Sequence, residues 1–221
     1  MSEQAVDTPA GRAALSAELG RFGSATLGES GALPLPPRLR PMWGGATLAA
    51  PAFPVRCTPG DNLAVHVAAA RAPSGSALVV DVGEVAERGY WGEVLTTAAQ
   101  ARGIAGLFID GGVRDAAALE ALRFPVFAAL VSLPGATKRA RGTVGAPIRF
   151  AGVPVAMGDW VVGDVDGVVI VPASGLSAVL AAAQARTEKE TDFFDALRSG
   201  ATTVELLGLD TSVVVIDPSV I

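Results

Sequence analysis

Two glycine-containing segments carry residue types that could bind and activate a small acid. The first runs from Asp110 to Asp115, where two glycines allow a sharp turn and close approach of a ligand. Arg114 offers a planar fork that matches a carboxylate, and Asp115 offers hard oxygen ligands suited to Mg²⁺ or Mn²⁺. Adjacent in the chain, the two can hold opposite ends of one small α-keto acid. The structural alternative is that Asp115 caps the following helix and Arg114 is a surface residue.

The second segment, Trp91 to Leu95, begins a predicted helix. Its free backbone N–H groups, at Gly92, Val94 and Leu95, predict an anion site. Glu93 can hold a water bound to a metal, although taken alone it is simply a favourable acid in the first turn of a helix. Two consecutive strand–loop–helix units, one with these amides and one with the Arg-Asp pair, predict a shared pocket.

Apolar runs place both segments at one edge of a sheet. Continuous apolar strands are predicted at Ala77 to Val82, Ala105 to Asp110 and Pro125 to Ala128. Helices are predicted between them, at Val94 to Arg102 and Ala116 to Leu122. This βαβαβ order predicts right-handed crossovers and parallel strands. Both loops then leave the carboxyl edge of the strands, where α/β folds bind ligands.

The remaining segments predict elements around this core. Short strands with Gly/Asp turns from Thr143 to Pro172 indicate a β-hairpin or a small barrel-like layer. Ser174 to Arg198 is the longest helical pattern, and its charged second half is expected to reach a neighbouring subunit. Residues 1–10 are expected to be a disordered leader, and Ser212 to Ile216 one more strand. The predicted architecture is α/β, a layered sandwich forming a single domain from residue 11 to 221.

Composition excludes several classes of partner. The net charge is -5 and no long Lys/Arg run occurs, so neither a nucleic acid nor an anionic membrane is expected. A small anionic substrate needs only one or two arginines. Cys57 is the only cysteine, which with the lack of an apolar leader favours a cytoplasmic protein. We interpret Cys57 as a core thiol, and His66, in a predicted strand, as a structural histidine with satisfied hydrogen bonds.

The two loops and their flanking residues resemble the RraA-like family. The resemblance covers roughly Gly23 to Gly200 and implies an RraA-like fold of the swivelling-domain type. The enzymes of that family include 4-hydroxy-4-methyl-2-oxoglutarate and 4-carboxy-4-hydroxy-2-oxoadipate aldolases. The motifs that carry the resemblance are Gly92 to Leu95, Ala101 to Gly106, Asp110 to Asp115, Phe124 to Ala128, Gly152 to Val155 and Asp164 to Pro172.

The resemblance implies a role for individual residues. Asp115 matches the aspartate that contacts the divalent metal, and Arg114 matches the arginine that binds the pyruvate moiety. Glu93 matches an acid, often Asp in the aldolases, that contacts a water on the metal, and the amides around it match those that hold the substrate carboxylate. In the aldolases a glutamate from the C-terminal helix of a neighbouring subunit completes the site. Glu188 or Glu190 would fill that role here.

The implied reaction is metal-dependent retro-aldol cleavage of a 4-hydroxy-2-oxo acid, with release of pyruvate and with oxaloacetate decarboxylation as a side activity. Family members are commonly trimers or pairs of trimers. The alternative is a non-enzymatic regulator that binds a ribonuclease, because such members also keep the Arg-Asp pair. A methyltransferase, a label often given to this family, is a poorer interpretation because Gly83 to Gly89 does not match a nucleotide-binding glycine loop.

Overall fold

The computed structural model describes residues 8–217 of the 221-residue chain. Contacts within the chain divide it into two compact units, the first ending at Ala183 and the second beginning at Gln184. The expected leader lies mostly outside the described residues, but Pro9 and Ala10 are already helical and Thr8 is their N-cap. No helix between residues 8 and 217 combines the length and the hydrophobicity that a membrane span needs.

The described residues form six α-helices and twelve strands. The helices are α1 (Pro9–Glu29), α2 (Leu63–Arg71), α3 (Glu93–Ala101), α4 (Ala116–Ala121), α5 (Leu176–Arg198) and α6 (Thr203–Leu207). The strands are β1 (Leu33–Pro34), β2 (Arg40–Pro41), β3 (Leu48–Arg56), β4 (Ala77–Asp81), β5 (Gly89–Trp91), β6 (Gly106–Val113), β7 (Val126–Val131), β8 (Thr143–Val144), β9 (Ile148–Phe150), β10 (Val153–Val155), β11 (Trp160–Gly163) and β12 (Val168–Val171).

Ten of these strands form one curled, mixed sheet. Its order is β1-β12-β11-β3-β4-β6-β7-β2, with β5 pairing beside β6 and β8 beside β3. β3, β4, β6 and β7 are parallel neighbours, so the predicted βαβαβ core is confirmed and α2 connects one further parallel strand to it. The outer strands β11, β12 and β2 run antiparallel to their neighbours.

Strand β3 joins the two parts of the sheet. Its first half, Leu48 to Pro51, pairs antiparallel with β11, and its second half, Ala52 to Arg56, pairs parallel with β4. The predicted separate layer at Thr143 to Pro172 is therefore only partly right. β9 and β10 form a hairpin of their own, but β11 and β12 are buried along their whole length and extend the main sheet.

The apolar runs of β11 and β12 are explained by helix α1. Leu15 and Leu19 of this helix pack in one cluster with Trp160 and Val162 of β11, while the intervening Val161 belongs to the main core on the other face. Successive strand residues point to opposite faces of a sheet, so a strand covered on both sides is apolar at every position.

The predicted loop at Gly111 to Val113 is instead the end of β6. A Cβ atom at Gly111 would lie 2.7 Å from a methyl of Val82, and one at Gly112 would lie 2.5 Å from the carbonyl oxygen of Arg88. These glycines therefore allow close packing against the residue that follows β4 and the residue that precedes β5. They do not make a turn. The turn comes two residues later, at Arg114 and Asp115.

Two other predictions of secondary structure were wrong. His66 lies on helix α2 and not on a strand. The buried residues Val65, Ala68 and Ala69 recur at helical spacing and form the apolar face of this helix. Ser212 to Ile216 forms no strand. Its side chains are exposed and no described strand pairs with it, so its β-branched residues lack the neighbours that stabilise a strand.

Candidate functional site

A cavity of about 180 Å³ lies where several of the parallel strands end. The start of α2, the connection from β5 to α3, the turn after β6 and a loop before β8 supply its walls. It is lined by Asn62, His66, Gly89, Tyr90, Trp91, Gly92, Val94, Leu95, Arg114, Asp115, Gly135, Ala136 and Lys138. The two segments that the sequence predicted to share a pocket meet here.

Asp115 connects the two segments. It occupies the N-cap position of α4 in a left-handed conformation, with φ 57° and ψ 37°, but its side chain makes no capping hydrogen bond to that helix. Its Oδ2 atom instead accepts a hydrogen bond from the backbone N–H of Glu93, at 3.0 Å, at the start of α3. Asp tolerates the left-handed region better than most residues. The alternative that Asp115 caps its own helix is therefore excluded.

Arg114 is fixed by its backbone and has an open side chain. Its N–H donates to the carbonyl oxygen of Trp91 at 2.9 Å. Its Nε atom lies 3.8 Å from Oδ2 of Asp115, and the two side chains are 47% and 41% exposed. Within residues 8–217 the guanidinium makes no hydrogen bond, so its donors are available to a carboxylate in the cavity.

Two glycines make room for this pair. A Cβ atom on Gly92 would lie 2.4 Å from Oδ2 of Asp115 and 3.1 Å from Cγ of Arg114. One on Gly89 would lie 3.2 Å from Cδ of Arg114. Gly92 has extended backbone angles that any residue can adopt, so glycine is needed there for space and not for conformation.

The amide of Gly92, the first of those predicted at the start of α3, has no acceptor among residues 8–217. The Glu93 amide already donates to Asp115, whereas the amides of Val94 and Leu95 have no acceptor in the described part of the chain. These two amides can hold an anion. The Glu93 side chain is exposed and Glu93 is not among the residues that line the cavity, so its predicted contact with a water on a metal stays a prediction.

The start of α2 adds polar groups to the cavity lining that were not predicted from the sequence. Nδ2 of Asn62 donates to the carbonyl oxygen of Tyr90 at 2.8 Å, but Oδ1 of Asn62 and Nε2 of His66 are buried without a partner among the described residues. Burial, and then the charge of Lys138, lower the pKa of His66. The interpretation of His66 as a satisfied histidine was wrong. The i, i+4 spacing of Asn62 and His66 was the signal available in the sequence.

Asp61 secures the loop that carries Lys138. It is almost fully buried, and its Oδ2 accepts from the hydroxyl of Thr137 at 2.7 Å and from the amides of Arg139 at 2.6 Å and Ala140 at 3.1 Å. Burial by itself would raise the pKa of Asp61, but these hydrogen bonds outweigh it and the pKa is well below its usual range. Asp61 therefore positions the cavity wall as a permanent anion.

Cys57 takes no part in the site. Its side chain is buried, and burial, followed by the nearby charges of Asp61 and Asp81, raises the pKa of the thiol to about 12. A thiol in this state is a poor nucleophile, so the interpretation of Cys57 as a core thiol is confirmed.

A metal ion would have to be held mainly through Asp115. No cluster of three His, Cys, Asp or Glu side chains suited to a metal occurs within residues 8–217. Mg²⁺ is commonly bound through one or two carboxylates, with waters and substrate oxygens completing the shell, and the half-exposed carboxylate of Asp115 fits that mode. A carboxylate has enough lone pairs to keep the bond from the Glu93 amide as well.

Glu188 and Glu190 lie in the second compact unit, and each has a partner on its own helix. Nε2 of Gln184 donates to Glu188 at 2.7 Å, and Nε of Arg186 lies 2.8 Å from a carboxylate oxygen of Glu190. The contribution of either glutamate to a neighbouring site stays a prediction.

Fold and site together define an α/β protein with a cavity lined by an Arg-Asp pair and by the start of a helix. The sequence profile of the RraA-like family, described as Aldolase/RraA, matches residues 22–170, more than half of the chain. The chain belongs to the RraA-like family.

Individual relatives agree with this assignment. A provisionally named 4-hydroxy-4-methyl-2-oxoglutarate aldolase of Halalkalibacterium halodurans is 36% identical over 134 residues, 61% of this chain and 64% of that protein. An uncharacterized protein of Pseudomonas syringae superposes with a TM-score of 0.76 at 26% identity, covering 88% and 92% of the two chains. The RNA-processing inhibitor RraA of Thermus thermophilis gives 0.58 at 28% identity, covering 64% and 84%.

Proposed function

We propose that the protein is a divalent-metal-dependent pyruvate aldolase that cleaves a 4-hydroxy-2-oxo acid. The observation that carries this proposal is the turn after β6, whose consecutive residues Arg114 and Asp115 line one cavity together with the start of α3, where the Glu93 amide donates to Asp115. The aldolase name of a relative at 36% identity supports it.

Each residue of the turn has a chemical task in this proposal. Arg114 binds the carboxylate of the 2-oxo acid, assisted by the amides of Val94 and Leu95. Asp115 would hold Mg²⁺ or Mn²⁺, which when bound supplies Lewis-acid polarisation of the 2-oxo group. Glu93, whose amide donates to the Asp115 carboxylate, would contact a water bound to that metal.

The reaction breaks one carbon–carbon bond. A base removes the proton of the C4 hydroxyl, the oxygen on C4 becomes a carbonyl group, and the C3–C4 bond breaks. C4 leaves in the second product, a carbonyl compound, and the electron pair of the broken bond forms the enolate of pyruvate. The positive charge of Arg114 stabilises this enolate, and protonation at C3 gives pyruvate. Decarboxylation of oxaloacetate produces the same enolate, so we propose it as a second activity of the same site.

The test is a coupled assay of pyruvate formation from 4-hydroxy-2-oxoglutarate and from oxaloacetate. Activity should require Mg²⁺ or Mn²⁺ and disappear with EDTA. Arg114→Ala should lower kcat/KM by about 10²–10³-fold, the usual loss when one stabilising donor is removed. Arg102→Ala, an exposed arginine at the end of α3, is the matched control. An Arg114→Ala variant with wild-type kcat/KM would show that the role given to Arg114 is wrong.

The second candidate is a regulator that binds a ribonuclease without catalysis. The similarity to the RNA-processing inhibitor of Thermus thermophilis favours it. The two functions differ in one measurement, because only the aldolase forms pyruvate in a chelator-sensitive way. A chain that forms none, yet inhibits RNA cleavage in a purified ribonuclease assay, would be the regulator.

The proposal extends to the assembly. By its resemblance to the aldolases, the active form is a homotrimer or a hexamer in which Glu188 or Glu190 of a neighbouring subunit completes each site. The exposed position of the Asp115 carboxylate is compatible with a further acid reaching it.

A further inference from the structure

Two side chains that line the same cavity as Arg114 and Asp115 contain polar atoms without partners. Oδ1 of Asn62 and Nε2 of His66 are both buried, and neither has a hydrogen-bond partner between residues 8 and 217. Asn62 is only 5% exposed. Buried polar groups are nearly always hydrogen-bonded in folded proteins, so an unmatched pair at a cavity wall calls for a ligand that supplies the partners.

The orientation of the Asn62 amide is determined by its surroundings. Its Nδ2 group donates to the Tyr90 carbonyl oxygen at 2.8 Å, and a flipped amide would place two acceptors face to face. The atom left for the cavity is therefore the acceptor Oδ1. A carboxylate cannot satisfy this atom, because a carboxylate has no proton to donate. The ligand group that binds here must be a donor.

His66 further defines which ligand group can bind here. Asn62 is the N-cap of α2 and His66 lies four residues later, so the two side chains share one face of the helix start. The imidazole is neutral near pH 7, because burial and Lys138 lower its pKa. A neutral imidazole can donate from Nε2. One hydroxyl group can then serve both atoms, by donating to Asn62 and accepting from His66.

We propose that Asn62 Oδ1 and His66 Nε2 bind a hydroxyl group of the ligand and select hydroxylated 2-oxo acids over acids without that hydroxyl. This inference rests on the proposed aldolase function and adds the specificity determinant. Arg114 and Asp115 hold the 2-oxo acid end, and the hydroxyl at C4 points to the wall formed by the start of α2. Both residues are binding residues in this proposal and not the base.

The kinetic test compares two substrates of the same site. The quantity of interest is kcat/KM for 4-hydroxy-2-oxoglutarate divided by kcat/KM for oxaloacetate, which has no hydroxyl. His66→Phe should lower this ratio at least about fivefold, because a buried hydrogen bond stays unmade. His66→Gln, whose amide nitrogen replaces Nε2, should recover most of it. Val67→Ala, on the exposed side of the same helix, is the control. An unchanged ratio in His66→Phe would overturn the proposal.

A binding measurement keeps the two proposals separate. His66 is the only histidine of the chain, so NMR spectra of the untagged protein labelled with ¹⁵N-histidine contain only the two ring-nitrogen signals of this one imidazole. With EDTA present to prevent turnover, 4-hydroxy-2-oxoglutarate should shift the Nε2 resonance and 2-oxoglutarate should not. Equal shifts, or none, overturn the hydroxyl site even if pyruvate is formed. A selective shift without any pyruvate formation would retain the hydroxyl site and overturn the aldolase.

Discussion

Replacing Gly92 with Ala tests whether function depends on the position of the Asp115 carboxylate. The new Cβ atom would lie 2.4 Å from Oδ2 of Asp115, whereas ordinary contact begins at 3.4 Å. The carboxylate must therefore withdraw by about 1 Å, the difference between these two distances. It would then lose the hydrogen bond from the Glu93 amide, which is now 3.0 Å long.

The expected effect is large on activity and small on stability. A displacement of about 1 Å at a reacting centre can lower the rate by about 100-fold. Ala can adopt the extended backbone of Gly92. It should therefore stabilise the folded protein by about 0.4–1 kcal/mol, because it reduces the conformational freedom of the unfolded chain. The lost hydrogen bond to the carboxylate costs about 1.5–3 kcal/mol. We therefore expect a net loss of about 1–2 kcal/mol in the free energy of unfolding.

Three measurements on the purified Gly92→Ala variant test this prediction. Pyruvate formation gives kcat/KM, urea unfolding gives the free energy of unfolding, and electron paramagnetic resonance gives the affinity for Mn²⁺. Gly44→Ala is the matched control, because a Cβ atom there has no neighbour within 4 Å. We expect weaker Mn²⁺ binding and the 100-fold loss only in Gly92→Ala. A folded Gly92→Ala variant with wild-type kcat/KM would refute the assignment of Asp115.

Three further predictions concern the rest of the chain. Asp61→Asn should lower the free energy of unfolding, measured with urea, by about 2–3 kcal/mol at pH 7. Because the pKa of Asp61 in the folded protein is depressed, the difference from wild type should shrink as the pH falls below about 4. A difference that stays constant with pH would contradict this. Cys57 should react with a thiol reagent at pH 8 only after unfolding, since its pKa is about 12, so rapid labelling of the native protein would show that the thiol is accessible. Glu190→Gln and Arg114→Ala, each strongly impaired alone, should recover part of the activity when mixed and reassembled, whereas no recovery would argue against a shared site.

The parallel core could be predicted from sequence because its signal is local. Each buried strand is a continuous apolar run, and each helix that follows begins next to a polar loop. The position of Arg114 and Asp115 at the carboxyl end of β6 follows from the same pattern. What the pattern could not give is the extent of β6, because Gly111 and Gly112 are typical of both turns and closely packed strands.

The part of the cavity lining formed by the start of α2 was not predicted, because its role depends on contacts distant in sequence. Asn62 and His66 become unusual only when Tyr90 is seen to bind one side of the Asn62 amide. Likewise, Asp61 is an ordinary turn residue in the sequence and becomes a structural anion only once Thr137 and the amides after it close around it. The partners are more than 25 and more than 70 residues away, beyond any periodicity of the chain.

Asp115 was open to two interpretations from sequence, and its geometry favours function over stability. An aspartate that served only to cap α4 would adopt an extended backbone and bond to its own helix. Asp115 instead takes a left-handed conformation, which costs about 1 kcal/mol, and requires a glycine at position 92 to make room for its carboxylate. In return the protein gains one hydrogen bond to a half-exposed carboxylate beside Arg114. Backbone strain of this kind, at a half-exposed carboxylate beside an arginine, is characteristic of residues held in place to act on a ligand.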